Sequence, residues 1–279
     1  MLTDQPQAPG SAETTDSQMA DGSQTDSGDG GDAPRGFHDL AQTPHRSPIR
    51  NYCDLVVGSR CPWAFVKYEC LTSLLGFMPG AAGLALRRKL YPFLFARCGR
   101  GLVVGVGVTL RQPGRVTLGA GCVVDDYACL SVRGDEGSAI RLGKHVFVGR
   151  QSVINVRDAT VEIDDFTSIG SACRLGCDGG TLRIGQYVLV AAYAYIGGGA
   201  HRTDRTDMPM ALQGMDTKGG VTIEDDVWIG TRATVVDGVH IGKGSIIGAG
   251  SLVMEDVPEL SVAYGSPAKV VRKREAGTR

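Results

Sequence analysis

From about residue 100 onward, an aliphatic side chain recurs at every sixth position. Leu118, Val124 and Leu130 form one triplet, Leu142, Val148 and Ile154 the next, and Ile163, Ile169 and Leu175 the third. The beat continues through Ile184, Val190 and Ile196, then Ile223, Ile229 and Val235, and closes on Ile241, Ile247 and Val253. A period of six matches neither the 3.6 of a helix nor the 2 of a strand, so a repeat architecture is required. Six residues make a short strand and a corner, and three such units close a triangular coil. The aliphatic then points into the axis of a prism and stacks on its equivalents above and below. Small or acidic residues usually follow it, as in "IGQYVLVA" and "IEDDVWIG", and the 40 glycines read as corner residues. The expected fold is an all-β repeat, a prism of parallel strands over residues 100–260.

The distance between coils locates insertions. Leu118 to Leu142 is 24 residues, the next two steps are 21 each, Ile184 to Ile223 is 39, and Ile223 to Ile241 is 18. An uninterrupted coil needs 18, so the fourth carries 21 extra residues, expected at 197–220. This stretch opens "GGGAHRTDRTDMP", and functional groups concentrate on such loops when a rigid scaffold holds them. His201 is the candidate catalytic residue, because an imidazole near its unperturbed pKa accepts a proton at neutral pH. Asp204 and Asp207 either orient its ring or only cap the loop. His38, His45, His145 and His240 read as ordinary surface histidines.

Ahead of the repeats lie two different segments. Residues 1–46 are rich in Ser, Thr, Gly, Gln and Asp and too poor in large apolar groups to offset the entropy of ordering, which predicts a disordered acidic tail. Residues 52–98 are apolar. Pro62 suits a first helical turn and "MPG" at 78–80 forces a break, so a helical hairpin is expected. The uncharged run from Cys70 to Leu86 is interrupted by Pro79 and Gly80, which disfavours a spanning helix. Two placements stay open: packing on the chain's own prism, or peripheral attachment to a membrane through residues 62–97. Arg87, Arg88 and Lys89 beside Trp63, Phe93 and Phe95 argue for the second.

Net charge −1 and 42% hydrophobic content describe an ordinary soluble chain with nothing that points to nucleic acid. Eight cysteines without a CxxC pair or a preceding signal-peptide pattern read as reduced thiols of a cytoplasmic chain that mostly fill the core. They lack the clustered partners that a zinc site needs, so no metal is expected.

The hexapeptide register, the looped-out histidine, "VWIG" at 227–230, "IIGAGSLV" at 246–253 and "AYGSPAKVVRKR" at 263–274 together resemble the hexapeptide-repeat acyltransferases. That family comprises left-handed parallel β-helix enzymes similar to the maltose, galactoside and colanic-acid O-acetyltransferases. The resemblance covers about residues 100–274. It implies acetyl-CoA or another acyl-CoA as co-substrate, a homotrimer with sites between subunits, and a saccharide or lipid-linked saccharide as acceptor. It implies His201 as general base, Trp228 beside the acceptor and thioester, and Gly230, Thr231, Ala249 and Gly250 along the coenzyme arm. Lys269 and Arg272 fall where the family binds the nucleotide phosphates, with Lys273 a further cation, although residues 261–279 also read as a solvated basic tail. Ser171 stands where galactoside-type enzymes carry an acceptor-binding asparagine, and Met254 and Glu255 replace the Thr-Lys of many relatives. Trp228 reads equally as an interface aromatic.

Other classes fit less well. A purely structural prism, the main alternative, has no use for a loop histidine. A prism-type zinc enzyme needs three converging histidines, and the place five residues after His201 holds Thr206. A sugar-nucleotide transferase needs a glycine-rich α/β domain, for which the region before residue 100 is neither long enough nor suitably patterned.

Overall fold

The computed structural model describes residues 47–275, all within one compact unit, Ala33–Arg279. The acidic tail expected at 1–46 lies outside the described residues, as do the last four residues of the chain. The repeats form a parallel β-solenoid of about seven turns with three faces. The first face runs from Arg97–Cys98 through Val116–Leu118, Ala139–Leu142, Thr160–Ile163, Thr181–Ile184 and Gly220–Ile223 to His240–Ile241. The second runs from Val103–Val104 to Ile246–Ile247, and the third from Thr109–Arg111 to Leu252–Val253. All eighteen periodic aliphatics point inward and are at most 3% exposed, so the period of six has located the core.

The corners correct one expectation. On two edges of the prism, glycine holds only some of the left-handed positions (Gly101, Gly121 and Gly244 on one, Gly107 and Gly250 on the next): His145, Phe166, Tyr187 and Asp226 occupy the rest of the first, and Tyr127, Gln151, Ala172, Tyr193 and Arg232 the rest of the second. Such residues strain by roughly 1 kcal/mol each, and the ladders on either side hold them in place. Side chains on these edges stack coil upon coil, His145 on Phe166 and Phe166 on Tyr187 with ring centroids 5.2 Å apart at each step. Glycine also matters where coils touch. A Cβ on Gly119 would sit 2.3 Å from the Gly143 carbonyl oxygen.

The third face is wider than a hexapeptide makes it. Cys129–Arg133, Val153–Arg157 and Arg174–Asp178 are five-residue strands in continuous register. The 21- and 24-residue coil spacings are the sequence trace of this widening.

An open prism end exposes unpaired backbone, and the apolar segment covers the first one. It holds helices α1 (Pro48–Tyr52), α2 (Pro62–Leu75) and α3 (Gly80–Leu90), and these with the residues that link them supply the partners. Gly107 N–H donates to the Gly76 carbonyl (2.8 Å) and Gln112 N–H to that of Val56 (2.6 Å). The Tyr68 hydroxyl donates to the Leu110 carbonyl (2.7 Å). Arg87 is 1% exposed and ties three parts together: Nε donates to the Val104 carbonyl (2.9 Å), and Nη1 to those of Leu75 (2.9 Å) and Met78 (2.7 Å). The helical hairpin therefore packs on its own prism, and two members of the expected surface cluster turn inward, Arg87 and the buried Phe95. The other side of α2 remains apolar and exposed: Trp63, Val66, Cys70, Leu74 and, just beyond the helix, Phe77 follow one another at helical spacing. Among the described residues no helix is long and apolar enough to cross a membrane. At the far end the basic segment is not a solvated tail over its described part. Ser261–Gly265 adds a strand to the second face and Ala268–Lys273 returns antiparallel along it.

Arg87→Met keeps the apolar stem and removes every donor to three carbonyls. It should destabilise the cap by about 3 kcal/mol, read as a lower urea midpoint and faster proteolysis before residue 100. An unchanged midpoint would show that Arg87 does not clamp the cap.

Candidate functional site

The long insertion leaves the prism at the third face. Tyr195–Gly198 still runs in register, with Gly197 opposite Gly176 and Gly198 opposite Cys177, so departure comes two residues later than the spacing suggests. Gly199 (φ 88°) opens the excursion and Gly219 and Gly220 (φ 103° and 107°) close it. Larger residues are barred there, since a Cβ on Gly199 would lie 2.4 Å from the Asp178 carbonyl oxygen, and one on Gly220 2.0 Å from that of Thr181. The "GGG" run is thus two ladder positions and one hinge. Beyond it Ala200–His201 pairs antiparallel with Met215–Asp216, giving a two-stranded arm. Gln213 steadies its tip, donating to the carbonyls of Arg205 (2.7 Å) and Met208 (3.1 Å) and accepting the Arg205 N–H (3.1 Å).

Between arm and prism lies an open cleft of about 740 Å³, lined by Tyr195, His201, Asp204, Lys218 and Asp237 among others. His201 is exposed in it, and its imidazole makes no hydrogen bond among the described residues. Both candidate orienting carboxylates are engaged elsewhere. Asp204 accepts from Arg202 Nε and Nη2 (3.3 and 3.4 Å), and Asp207 from Arg205 Nε and Nη2 (3.0 and 2.5 Å). These arginine hydrogen bonds hold both carboxyls below their ordinary range. Of the two roles open to them, bracing the loop is the one their contacts carry.

Asp237, which the sequence reading passed over, anchors the arm. Its carboxylate accepts the N–H groups of Lys218 (2.6 Å) and Gly220 (2.9 Å). Burial pushes this carboxyl up, but hydrogen bonds from the backbone of Lys218, Gly199 and Gly220 and from the Thr217 side chain together outweigh it, leaving the group below its ordinary range. In "VVDG" it looks like any turn aspartate; only the three-dimensional return of the arm gives it a purpose.

The other candidates lie apart from the cleft lining. Ser171 is at a prism edge beside Ala172. Trp228 stands half-exposed on the second face, in register between Leu189 and Ile246. Thr231 and Gly250 meet at one edge, where Gly250 N–H donates to the Thr231 carbonyl (2.8 Å), with Ala249 exposed beside them. Gly230 is buried, and a Cβ there would sit 2.6 Å from the Ala249 nitrogen. Lys269 is paired with Glu255 (3.1 Å), Arg272 donates to the Lys273 carbonyl (3.2 Å), and Lys273 to that of Glu259 (2.7 Å).

Residues 220–254 match the family model for the bacterial transferase hexapeptide, six repeats. The chain is 34% identical over 142 residues to a probable acetyltransferase of Mycobacterium tuberculosis, covering 50% of this chain and 46% of that one. It is 51% identical over 67 residues to a putative acetyltransferase of Saccharomyces cerevisiae, covering 24% and 34%. The chain thus spans less than half the length of these curated relatives. Among solved structures, a hexapeptide-repeat acetyltransferase from Vibrio cholerae complexed with acetyl coenzyme A is 23% identical, with a TM-score of 0.41, covering 76% of this chain and 87% of that one. The hexapeptide repeat of the bacterial transferases is therefore present here, in the coils that follow the arm.

Because Asp237 is held below the ordinary carboxylate value of about 3.9, its anchoring is complete above that value. It is lost as pH falls through the lower folded-state value. Amide protection factors over residues 200–218 should fall in acid below about pH 4, and Asp237→Ala should lower them at neutral pH on the order of tenfold, the ratio given by about 1.4 kcal/mol. Equal exchange in variant and wild type would remove the anchor.

Proposed function

We propose that this chain is an acyl-CoA-dependent O-acyltransferase, acetyl-CoA its donor, acting on a hydroxyl of a saccharide or lipid-linked saccharide with His201 as general base. The observation that carries the reading is an exposed imidazole, without a hydrogen-bond partner among the described residues, at the mouth of a cleft on the arm that interrupts a transferase-type repeat. The acetyltransferase names of the relatives support the donor. In the step envisaged, His201 takes the proton of the acceptor hydroxyl as its oxygen attacks the thioester carbonyl carbon. The carbon–sulfur bond then breaks, and the coenzyme thiolate leaves and takes up the proton. A backbone N–H of the coil wall receives the oxyanion. Gly230, Thr231, Ala249 and Gly250 line the donor's path, and Arg272 meets its phosphates. Lys269 serves there only if the donor draws it from Glu255.

A homotrimer with sites between subunits fits the surface. On the second face the outward column Val123, Phe147, Ser168, Leu189, Trp228 and Ile246 is in register and almost wholly apolar, and the Phe166–Tyr187 stack flanks it. Such a continuous apolar strip marks an interaction surface. Trp228 lies in that strip and outside the lining of the His201 cleft, so a neighbouring copy is needed to bring the two together. The exposed α2 stripe, with Trp63, Leu74 and Phe77 each more than 70% exposed, together with the exposed cations Arg88 and Lys89 of α3, supports peripheral attachment to an anionic membrane surface.

His201→Ala should lower turnover at least about a hundredfold with the circular-dichroism spectrum and oligomeric state intact, measured by thiol release from acetyl-CoA over an acceptor panel. A near-normal rate would take His201 out of the mechanism. For the membrane, the protein should co-sediment with vesicles rich in anionic lipid and far less with neutral ones, and Trp63→Ser with Phe77→Ser should abolish this. Equal recovery in the supernatant with and without vesicles would refute attachment.

A further inference from the structure

The widened third face carries a shelf of charge that the proposed chemistry does not use. Its outward side chains form rows across adjacent strands. One row holds Arg111, Ser131, Asn155, Gly176 and Gly197; a second holds Arg133, Arg157 and Asp178; a third holds Cys129, Val153, Arg174 and Tyr195. Four arginines thus share these rows with one carboxylate, and Arg157 pairs with Asp178 loosely at 4.0 Å. The four act on one another's surroundings. Burial raises the Cys129 thiol while Arg111, Arg133 and Arg174 pull it back, and burial, then Arg111, then Arg157 lower the Arg133 guanidinium. Beneath them Ser131 is 3% exposed, and its Oγ has no hydrogen-bond partner. A buried hydroxyl without a partner under a group of cations is costly unless something polar completes it.

The Ser131 row leads to the cleft. Gly176 leaves it without a side chain, and at Gly197 the Tyr195 ring takes the space, since a Cβ there would meet the Tyr195 hydroxyl at 2.5 Å. Gly197 and Tyr195 are also part of the cleft lining with His201. From Ser131 to Gly197 is three strand steps, about 14 Å at roughly 4.8 Å per step.

We propose that this shelf binds an anionic group of the acceptor, a phosphate or a carboxylate remote from the hydroxyl that is acylated, with Arg111, Arg157, Arg174 and the Ser131 hydroxyl as its receptors. The proposal rests on the acyltransferase reading for its word "acceptor", but the anion site does not depend on it. Guanidinium forks suit planar and tetrahedral oxyanions alike. The path between shelf and cleft, with an amide at Asn155 and an aromatic ring at Tyr195, suits the body of a sugar.

Two measurements on the full chain test this. Calorimetric titration with inorganic pyrophosphate, and separately with glucuronate, distinguishes phosphate from carboxylate. One or both should bind, and Arg111→Gln with Arg157→Gln should weaken that binding at least tenfold while leaving acetyl-CoA binding unchanged. In the transfer assay a disaccharide, its 1-phosphate and its uronic-acid counterpart are compared. A charged member should have the higher kcat/KM, and in the double variant its KM should rise at least tenfold, bringing the preference toward one, with Arg111→Lys recovering part of it. Absence of binding by both anions, equal use of charged and neutral acceptors by the wild type, or a loss confined to acetyl-CoA affinity would overturn the proposal. Silence of the transfer assay with every acceptor would count against the acyltransferase reading, while the titration still decides the anion site.

Discussion

Everything in this molecule hangs on the parallel backbone ladder that joins each coil to the next. Once Ile163 is paired with Leu142 on one side and Ile184 on the other, the position of every inward and outward side chain on that coil is determined. The ladder also tolerates costs no isolated turn would bear, such as an edge built from His145, Phe166 and Tyr187 in left-handed backbone. Its demands appear at the ends, where unpaired donors and acceptors must find partners. That demand explains why an apolar helical segment precedes the repeats, and why a buried arginine sits where the sequence pattern places a surface cation.

A rigid frame of this kind makes every departure from the repeat conspicuous, and loops held by such a frame are where functional groups concentrate. There are two such departures, and both leave a mark on coil length. The 39-residue spacing becomes the arm with His201; the 21- and 24-residue spacings become the broad third face with its arginines. They occur on the same face, so the shelf and the cleft form one continuous tract.

The core was legible because a strict period says directly which residues meet, and all eighteen aliphatics obeyed it. Arm position was legible to within two residues for the same reason. What stayed hidden depends on geometry with no sequence period. Asp237 bonds to Lys218 and Gly220 only because the arm returns there, and Asp204 and Asp207, adjacent to the histidine in sequence, spend their charge on Arg202 and Arg205. Arg87 shows the same limit, since a triplet of basic residues does not say which of them turns inward. Glycine was partly misread: the reading assigned it to corners, whereas at Gly119 and Gly199 the constraint is another strand's backbone within touching distance.

Charge distribution ties the two faces together. The second face offers an apolar strip and almost no charge on its outward column, which suits a surface that another copy covers. The third face concentrates cations around a buried hydroxyl and keeps its one shelf carboxylate at the margin, which suits a surface that must stay open to a small anionic molecule. A chain of net charge −1 can maintain such a shelf only by placing its carboxylates elsewhere, and on the arm two of them, Asp204 and Asp207, are each paired with an arginine. For these two aspartates, bracing the loop and shedding free negative charge near His201 are the same act.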